Sequence, residues 1–254
     1  MAKLLTYSIA LLLLLSCGSN EKSTPLKTNN TNEIVENKAS LATKKEEDWW
    51  VKRHQTILNR LDPASELILI GNSIFHTLDS EDRQAVWEKH LNGYKTINMG
   101  ISADRTENVI WRLQNGTLEH INPKVAVILI GTNNTDGNHF LEISTAPELA
   151  NGIKKICTIL QKKLPNTKIL LMGILPYGSA PNHRNNIIKA TNAIISTYPE
   201  KQPNVHYIDI SNVYYNQEGM VNQALMPDYL HPNAEGHMLM FDALADNIKA
   251  LMNK

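Results

Sequence analysis

Apolar residues run unbroken from Leu67 to Ile70 and close on Gly71, and runs of the same kind return four more times along the chain. The five segments are "LILIG", "KTINMG", "VAVILIG", "KILLMGILP" and "VHYIDIS". Short apolar runs that end in Gly, Pro or Ser read as strands buried on both faces. Between them lie stretches with helical spacing: Ser80 to Leu91, Asp104 to Leu113, Thr145 to Leu164 and Asn182 to Tyr198. A first helix carries Trp49 and Trp50, and a last one runs from about Pro232 to Met252. In "GIKKICTILQKKL" the residues Ile153, Ile156, Cys157, Leu160 and Leu164 fall on one helical face, so Cys157 reads as a small core residue. Strands alternating with helices predict an α/β fold, a three-layer sandwich in which helices flank a five-stranded parallel sheet on both faces. Such a sheet binds ligands outside the carboxyl ends of its strands.

The N-terminal end does not follow this pattern. Lys3, the apolar "LLTYSIALLLLL" and the tripeptide "LSC" ending at Cys17 have the form of a lipoprotein signal, cut before Cys17, which is then acylated. From Gly18 to about Lys45 the chain is rich in Ser, Thr, Asn, Lys and Glu without an apolar period, which reads as a flexible spacer. The expected organisation is a signal peptide at 1–16, a spacer at 17–45 and one folded domain at 46–254. It places the domain outside the cytoplasm, tethered to a membrane through its N-terminal lipid.

With 254 residues and 42% of them hydrophobic, the chain can bury one sizeable core. Lys plus Arg and Asp plus Glu both number 25, so no net charge draws the protein to nucleic acid.

The segments after the strands carry the candidate chemistry. Gly71-Asn72-Ser73 follows the first, "NMGISADRT" covers the end of the second, "GTNNT" follows the third and "LPYGSAPNHRNN" the fourth, while "MPDYLHPN" lies just before the last helix. A serine after a strand, paired asparagines and an Asp-x-x-His pair, gathered along one rim, suit nucleophilic acyl transfer. His231 and His237, six residues apart, point to different sides of a helix, so a shared metal is not expected.

These blocks resemble the SGNH hydrolases, also called GDSL esterases, in order and spacing from about residue 66 to 250. "IGNSIF" is similar to the family's first block, "NMGISADRTENVIWRLQNG" to the second, "GTNN" to the third and "DYLHP" to the last. Within the family the chain looks most like the catalytic subunits of intracellular platelet-activating factor acetylhydrolase. The resemblance implies a flavodoxin-like sheet, Ser73 as nucleophile, His231 as base and Asp228 as its partner. It also implies an oxyanion hole from the backbone of Ser73 and Ala103 and the side chain of Asn133, with no metal or other cofactor. Two positions depart from the family: Asn72 stands where Asp is usual, and Ala103 where a glycine is usual. An Asn still caps the turn through its carbonyl, and an Ala keeps its N–H while disfavouring positive φ.

The expected reaction is removal of short acyl groups, acetyl first, from a small ester or an acetylated glycan. A lysophospholipase, a phospholipid acetylhydrolase-like esterase and a non-catalytic binder of acylated glycans are the alternatives. Ile74, Thr132 and Leu230, beside the expected catalytic residues in sequence, are expected to wall a pocket sized for acetyl.

Overall fold

The computed structural model describes residues 37–140, 142–180 and 182–253. The expected signal peptide, Cys17 and most of the expected spacer lie outside them.

Helix α1 spans Asp48–Asn59 and strand β1 Leu67–Gly71. A four-residue helical turn, Ser73–His76, follows at once. Then come β2 at Ile97–Asn98, α2 at Thr106–Gln114, β3 at Val125–Leu129 and α3 at Ala146–Lys163. The chain closes with β4 at Lys168–Met172, α4 at His183–Ile195, β5 at Val205–Ile208 and α5 at Ala234–Met252. The five strands form one parallel sheet in the order β2-β1-β3-β4-β5.

The period of two along each strand sends alternate residues to opposite faces. Ile68, Ile70, Ala126, Ile128, Ile169 and Leu171 pack with α1, α2, α3 and α4. Leu67, Leu69, Val127, Leu170 and Met172 pack with Phe241, Leu244 and Ile248 of α5. Both faces of β1 and β3 are therefore dry, which explains why their sequences are continuous apolar runs. Cys157 is fully buried in the first of these cores, and burial pushes its thiol up to about 12, as expected of a core residue rather than a nucleophile.

The expected elements are present, with shifted ends. The helix expected over Ser80 to Leu91 is a chain of short pieces, including a π-helical stretch at Trp87–Leu91. Strand β2 pairs over two residues, although the N–H groups of Met99 and Ile101 still reach the carbonyls of Leu69 and Gly71 as the chain peels away.

The larger correction is to the spacer. Ala39 and Ser40 are buried, and the Ala39 carbonyl accepts a hydrogen bond from Thr106 Oγ1 at 2.7 Å. Thr43 exchanges bonds with Glu107 and Asn108 of α2, and Lys45 Nζ donates to the Ala103 carbonyl at 2.9 Å. Residues 37–45 thus form a strap on the domain, which begins before Glu46. Its attachment is mostly polar, backbone to side chain, and such bonding leaves no apolar period in a sequence.

Candidate active site

Strand β1 delivers the chain to the rim between β2 and β3. Gly71 is required there, because a Cβ at this position would sit 2.5 Å from the Leu129 carbonyl oxygen of β3. Asn72 is buried and its Oδ1 accepts from the Ile74 N–H at 3.0 Å, capping the turn that starts at Ser73. The Asn found in place of Asp thus keeps the capping bond. Ser73 stands at the first position of the turn, where a backbone N–H has no intrahelical acceptor.

From the loop before α5, His231 Nε2 comes to 2.9 Å from Ser73 Oγ. His231 Nδ1 lies 2.6 Å from Asp228 Oδ2, while Asp228 Oδ1 accepts the backbone N–H groups of Leu230 and His231. Burial works to raise the Asp228 carboxyl, but the His231 backbone and ring hydrogen bonds outweigh it and hold the group below the ordinary carboxylate range. Because a carboxylate only accepts, Nδ1 carries the proton and Nε2 offers its lone pair to the serine. The intervening Tyr229 takes a positive φ of 59°, and its carbonyl is held by the Gly178 N–H at 2.8 Å.

Two further loops bring the residues expected to form an oxyanion hole. In the loop after β2, the Ser102 N–H is spent on His76 Nδ1 at 3.1 Å and the Asp104 N–H on the Ile101 carbonyl. The N–H of Ala103 lies between them, with its residue at φ 60°, a left-handed conformation that glycine would take without strain. In the loop after β3, Asn133 Nδ2 donates to the Asp104 carbonyl at 2.8 Å. That bond fixes the amide orientation and leaves its second N–H free to point elsewhere. The neighbouring Asn134 serves the fold instead, since its Oδ1 accepts from the Thr106 N–H and so caps α2.

Asp104 itself is anchored from beneath. Its carboxylate pairs with Arg112 at 2.7 Å, both side chains being fully buried, and receives the Trp50 indole N–H at 2.6 Å. Burial pushes this carboxyl up, and the guanidinium and indole act against that. Arg112 also reaches the Gly71 carbonyl, so one buried cation ties β1 to the loop after β2. Nothing in the local sequence pattern announces this pair, since Asp104 and Arg112 meet only once α2 is folded.

The structure therefore brings Ser73, Ala103, Asn133, Asp228 and His231 to one rim. Of the three residues expected to wall an acyl pocket, two are buried. Ile74 is buried in the core on the α5 side, among Phe75, Leu78 and Phe241, whereas Leu230 packs against the core on the other face. Thr132 is 2% exposed. The turn after Ser73 thus points its first apolar residue, Ile74, inward. Tyr177, in the segment after β4, is also buried: its hydroxyl bonds Thr135 at 2.9 Å and the Arg184 guanidinium covers its ring. Among the described residues no cluster of His, Cys, Asp and Glu is placed to hold a metal ion.

Comparison with known proteins identifies the family and the fold. Residues 69–239 match the GDSL-like lipase/acylhydrolase family. The chain is 28% identical over 206 residues to platelet-activating factor acetylhydrolase IB subunit alpha1 of Bos taurus, covering 81% of this chain and 84% of that one. It is 29% identical over 209 residues to the alpha2 subunit of Homo sapiens, covering 82% and 87%. Its fold is similar to a GDSL-like lipase from Bacteroides thetaiotaomicron, with a TM-score of 0.65 at 18% identity over 78% of this chain and 97% of that one. An acetyl xylan esterase, AlAXEase, matches with a TM-score of 0.62 at 22% identity, over 71% and 98%. The chain belongs to the GDSL-like lipase/acylhydrolase (SGNH) family and is an ester-bond hydrolase.

Proposed function

We propose that the protein is a serine esterase that removes acetyl groups from O-acetylated carbohydrate. The observation that carries this reading is the hydrogen-bonded series Ser73 Oγ, His231, Asp228, with 2.9 and 2.6 Å steps, at the carboxyl rim of the sheet. Ser73 Oγ attacks the ester carbonyl carbon while His231 Nε2 takes its proton. Asp228 holds the imidazole tautomer and stabilises the imidazolium. The carbonyl oxygen, now an oxyanion, receives N–H groups from Ser73, Ala103 and the Asn133 side chain. His231 returns the proton to the departing alcohol, and water repeats the sequence to free acetate and regenerate Ser73.

Two features support a short acyl group and a bulky, polar leaving group. A long acyl tail needs apolar surface beside the nucleophile, yet Ile74 and Phe75 are committed to the core. Each methylene left without such a surface forgoes about 0.8 kcal/mol of transfer free energy. The side chains of His231 and Asp228 are 33% and 56% exposed, so the site is open enough to meet an acetyl group on a polymer. Similarity in sequence to platelet-activating factor acetylhydrolase subunits favours a second reading, an acetylated phospholipid, with the same chemistry.

The test is acetate release from acetylated xylo-oligosaccharides and from an acetylated phospholipid, with Ser73→Ala as control. Faster turnover of the sugar is expected. Preference for the phospholipid would move the assignment to the second reading, and faster hydrolysis of octanoyl than acetyl p-nitrophenyl esters would overturn both.

The proposal extends to location: the chain is processed before Cys17, acylated there and held at a membrane outside the cytoplasm. The form of the N-terminal sequence supports this. Labelled fatty acid should enter the wild-type protein and not Cys17→Ser; equal labelling of both would exclude the lipoprotein reading.

A further inference from the structure

Arg83 lies in the helical pieces after the nucleophile turn, outside every motif that marks the site. Its side chain is 12% exposed and reaches across to the base loop and α5. Arg83 Nη2 donates to the Pro232 carbonyl at 3.0 Å, and Arg83 Nε donates to His237 Nδ1 at 3.3 Å. On its other edge, His237 Nε2 stands 2.8 Å from the Ile74 carbonyl oxygen. Nδ1 also lies 3.2 Å from the Asn233 carbonyl, but the Arg83 guanidinium can only donate, so Nδ1 presents its lone pair to Arg83 and Nε2 carries the ring proton toward Ile74. His237 is fully buried, and burial lowers its pKa to about 4, which keeps the ring in this neutral, one-donor, one-acceptor form.

The two carbonyls held at the ends of this chain are not arbitrary. Ile74 is bonded to Ser73, and Pro232 is bonded to His231. The Ile74 peptide is fixed at its other end too, since its N–H goes to Asn72 Oδ1. We propose that Arg83 and His237 form a buried clasp that sets the distance between the nucleophile and the base. The clasp rests on the reading of Ser73 and His231 in those roles. Neither residue touches substrate; both are positioning residues, and they act through the backbone next to each reacting side chain. Ser73 and His231 lie on segments 158 positions apart in the chain, and their 2.9 Å contact alone is too weak to fix their relative position. Reacting groups displaced by about 1 Å can lose on the order of 100-fold in rate, so a device that spans the gap matters to turnover more than to substrate affinity.

The experiment compares Arg83→Ala, His237→Leu and His237→Gln with wild type and Ser73→Ala on p-nitrophenyl acetate, with active sites counted by labelling with a fluorophosphonate. Arg83→Ala and His237→Leu should lower kcat per active site by about 10–100-fold while KM stays within about twofold. His237→Gln should recover most of the rate, because an amide still offers one donor to Ile74 and one acceptor to Arg83. Millimolar methylguanidinium should partly restore Arg83→Ala and leave His237→Leu unchanged. A full loss in Ser73→Ala with wild-type kcat per active site in both clasp variants would overturn the clasp alone. So would a loss explained entirely by a smaller folded fraction. Near wild-type hydrolysis by Ser73→Ala would overturn the nucleophile assignment, and the clasp with it.

Discussion

The two carboxylate oxygens of Asp228 do different things. Oδ1 closes its own loop on the N–H groups of Leu230 and His231, and Oδ2 meets His231 Nδ1. Asp228→Asn keeps the carbonyl that closes the loop but turns an amide donor toward the imidazole, which favours the wrong tautomer. Thermal unfolding should therefore barely change, while kcat falls by about 10⁴-fold; a variant within a few fold of wild type on an activated ester would refute the assignment. Asn133→Ala removes a side-chain donor already aimed by the Asp104 carbonyl, and kcat should drop by about 10²–10³-fold. Ala103→Gly has the opposite sign. The left-handed φ of 60° costs an alanine roughly 1–2 kcal/mol, against about 0.4–1 kcal/mol of extra unfolded-state entropy for glycine. Relief of strain wins, so the variant should melt at a higher temperature with its N–H donor retained. A lower melting temperature would show that the methyl group makes contacts outweighing the strain.

The strap over residues 37–45 joins regions that the sequence pattern treats as separate. It covers the start of α2 and the face of α3, where Gly152 lets it pass: a Cβ there would lie 2.4 Å from the Ala39 carbonyl oxygen. Gly152→Ala should force the strap away and destabilise the domain by about 1–3 kcal/mol, the usual penalty for overpacking, less any gain in helix propensity. Hydrogen exchange should show the Thr43 N–H losing protection first, since its acceptor is Glu107 of α2. Unchanged exchange at Thr43 would mean that the strap tolerates the methyl group. The strands and long helices are legible in the sequence because burial on two faces, or along one stripe, writes a period into it. Leu67–Gly71 and Val125–Leu129 show this most plainly. Ser73, Asn133, Asp228 and His231 are legible because each follows a strand or precedes a helix in a recognisable block. The strap, the Asp104–Arg112 pair and the Arg83–His237 contact are not. Each is polar, and each joins residues through folding rather than through local spacing; Arg83 and His237 are 154 positions apart. Ile74 departs from expectation for a related reason: proximity to Ser73 in sequence says nothing of which way a side chain points.

Across the whole domain, burial and nearby cations hold His54, His76 and His237 neutral. Burial lowers His54 to about 4, with Arg112 adding to the effect. Burial and then Arg53 lower His76 to about 4, and burial lowers His237 to about 4. Each has a structural use for its neutral ring. His54 stacks on Trp50 with centroids 5.6 Å apart, His76 Nδ1 accepts the Ser102 N–H beside Ala103, and His237 bridges Arg83 to Ile74. In the unfolded chain these groups titrate near the ordinary histidine value of 6.5. Between that pH and about 4 the unfolded state binds protons that the folded state refuses, so stability rises with pH across the window. This contribution is intact above roughly pH 7, is lost progressively as pH falls toward about 4, and levels off below. The paired carboxylates Asp79, Asp136 and Asp228 sit below their ordinary range, so their own loss begins only at the acid end of the window. Urea unfolding between about pH 7.5 and 4.5 should show free energy falling as pH falls, and His54→Gln should make that fall shallower. A free energy of unfolding that stayed flat between about pH 7 and 4.5 would show that these rings are protonated as readily in the folded protein as in water, and would remove the basis for their structural roles.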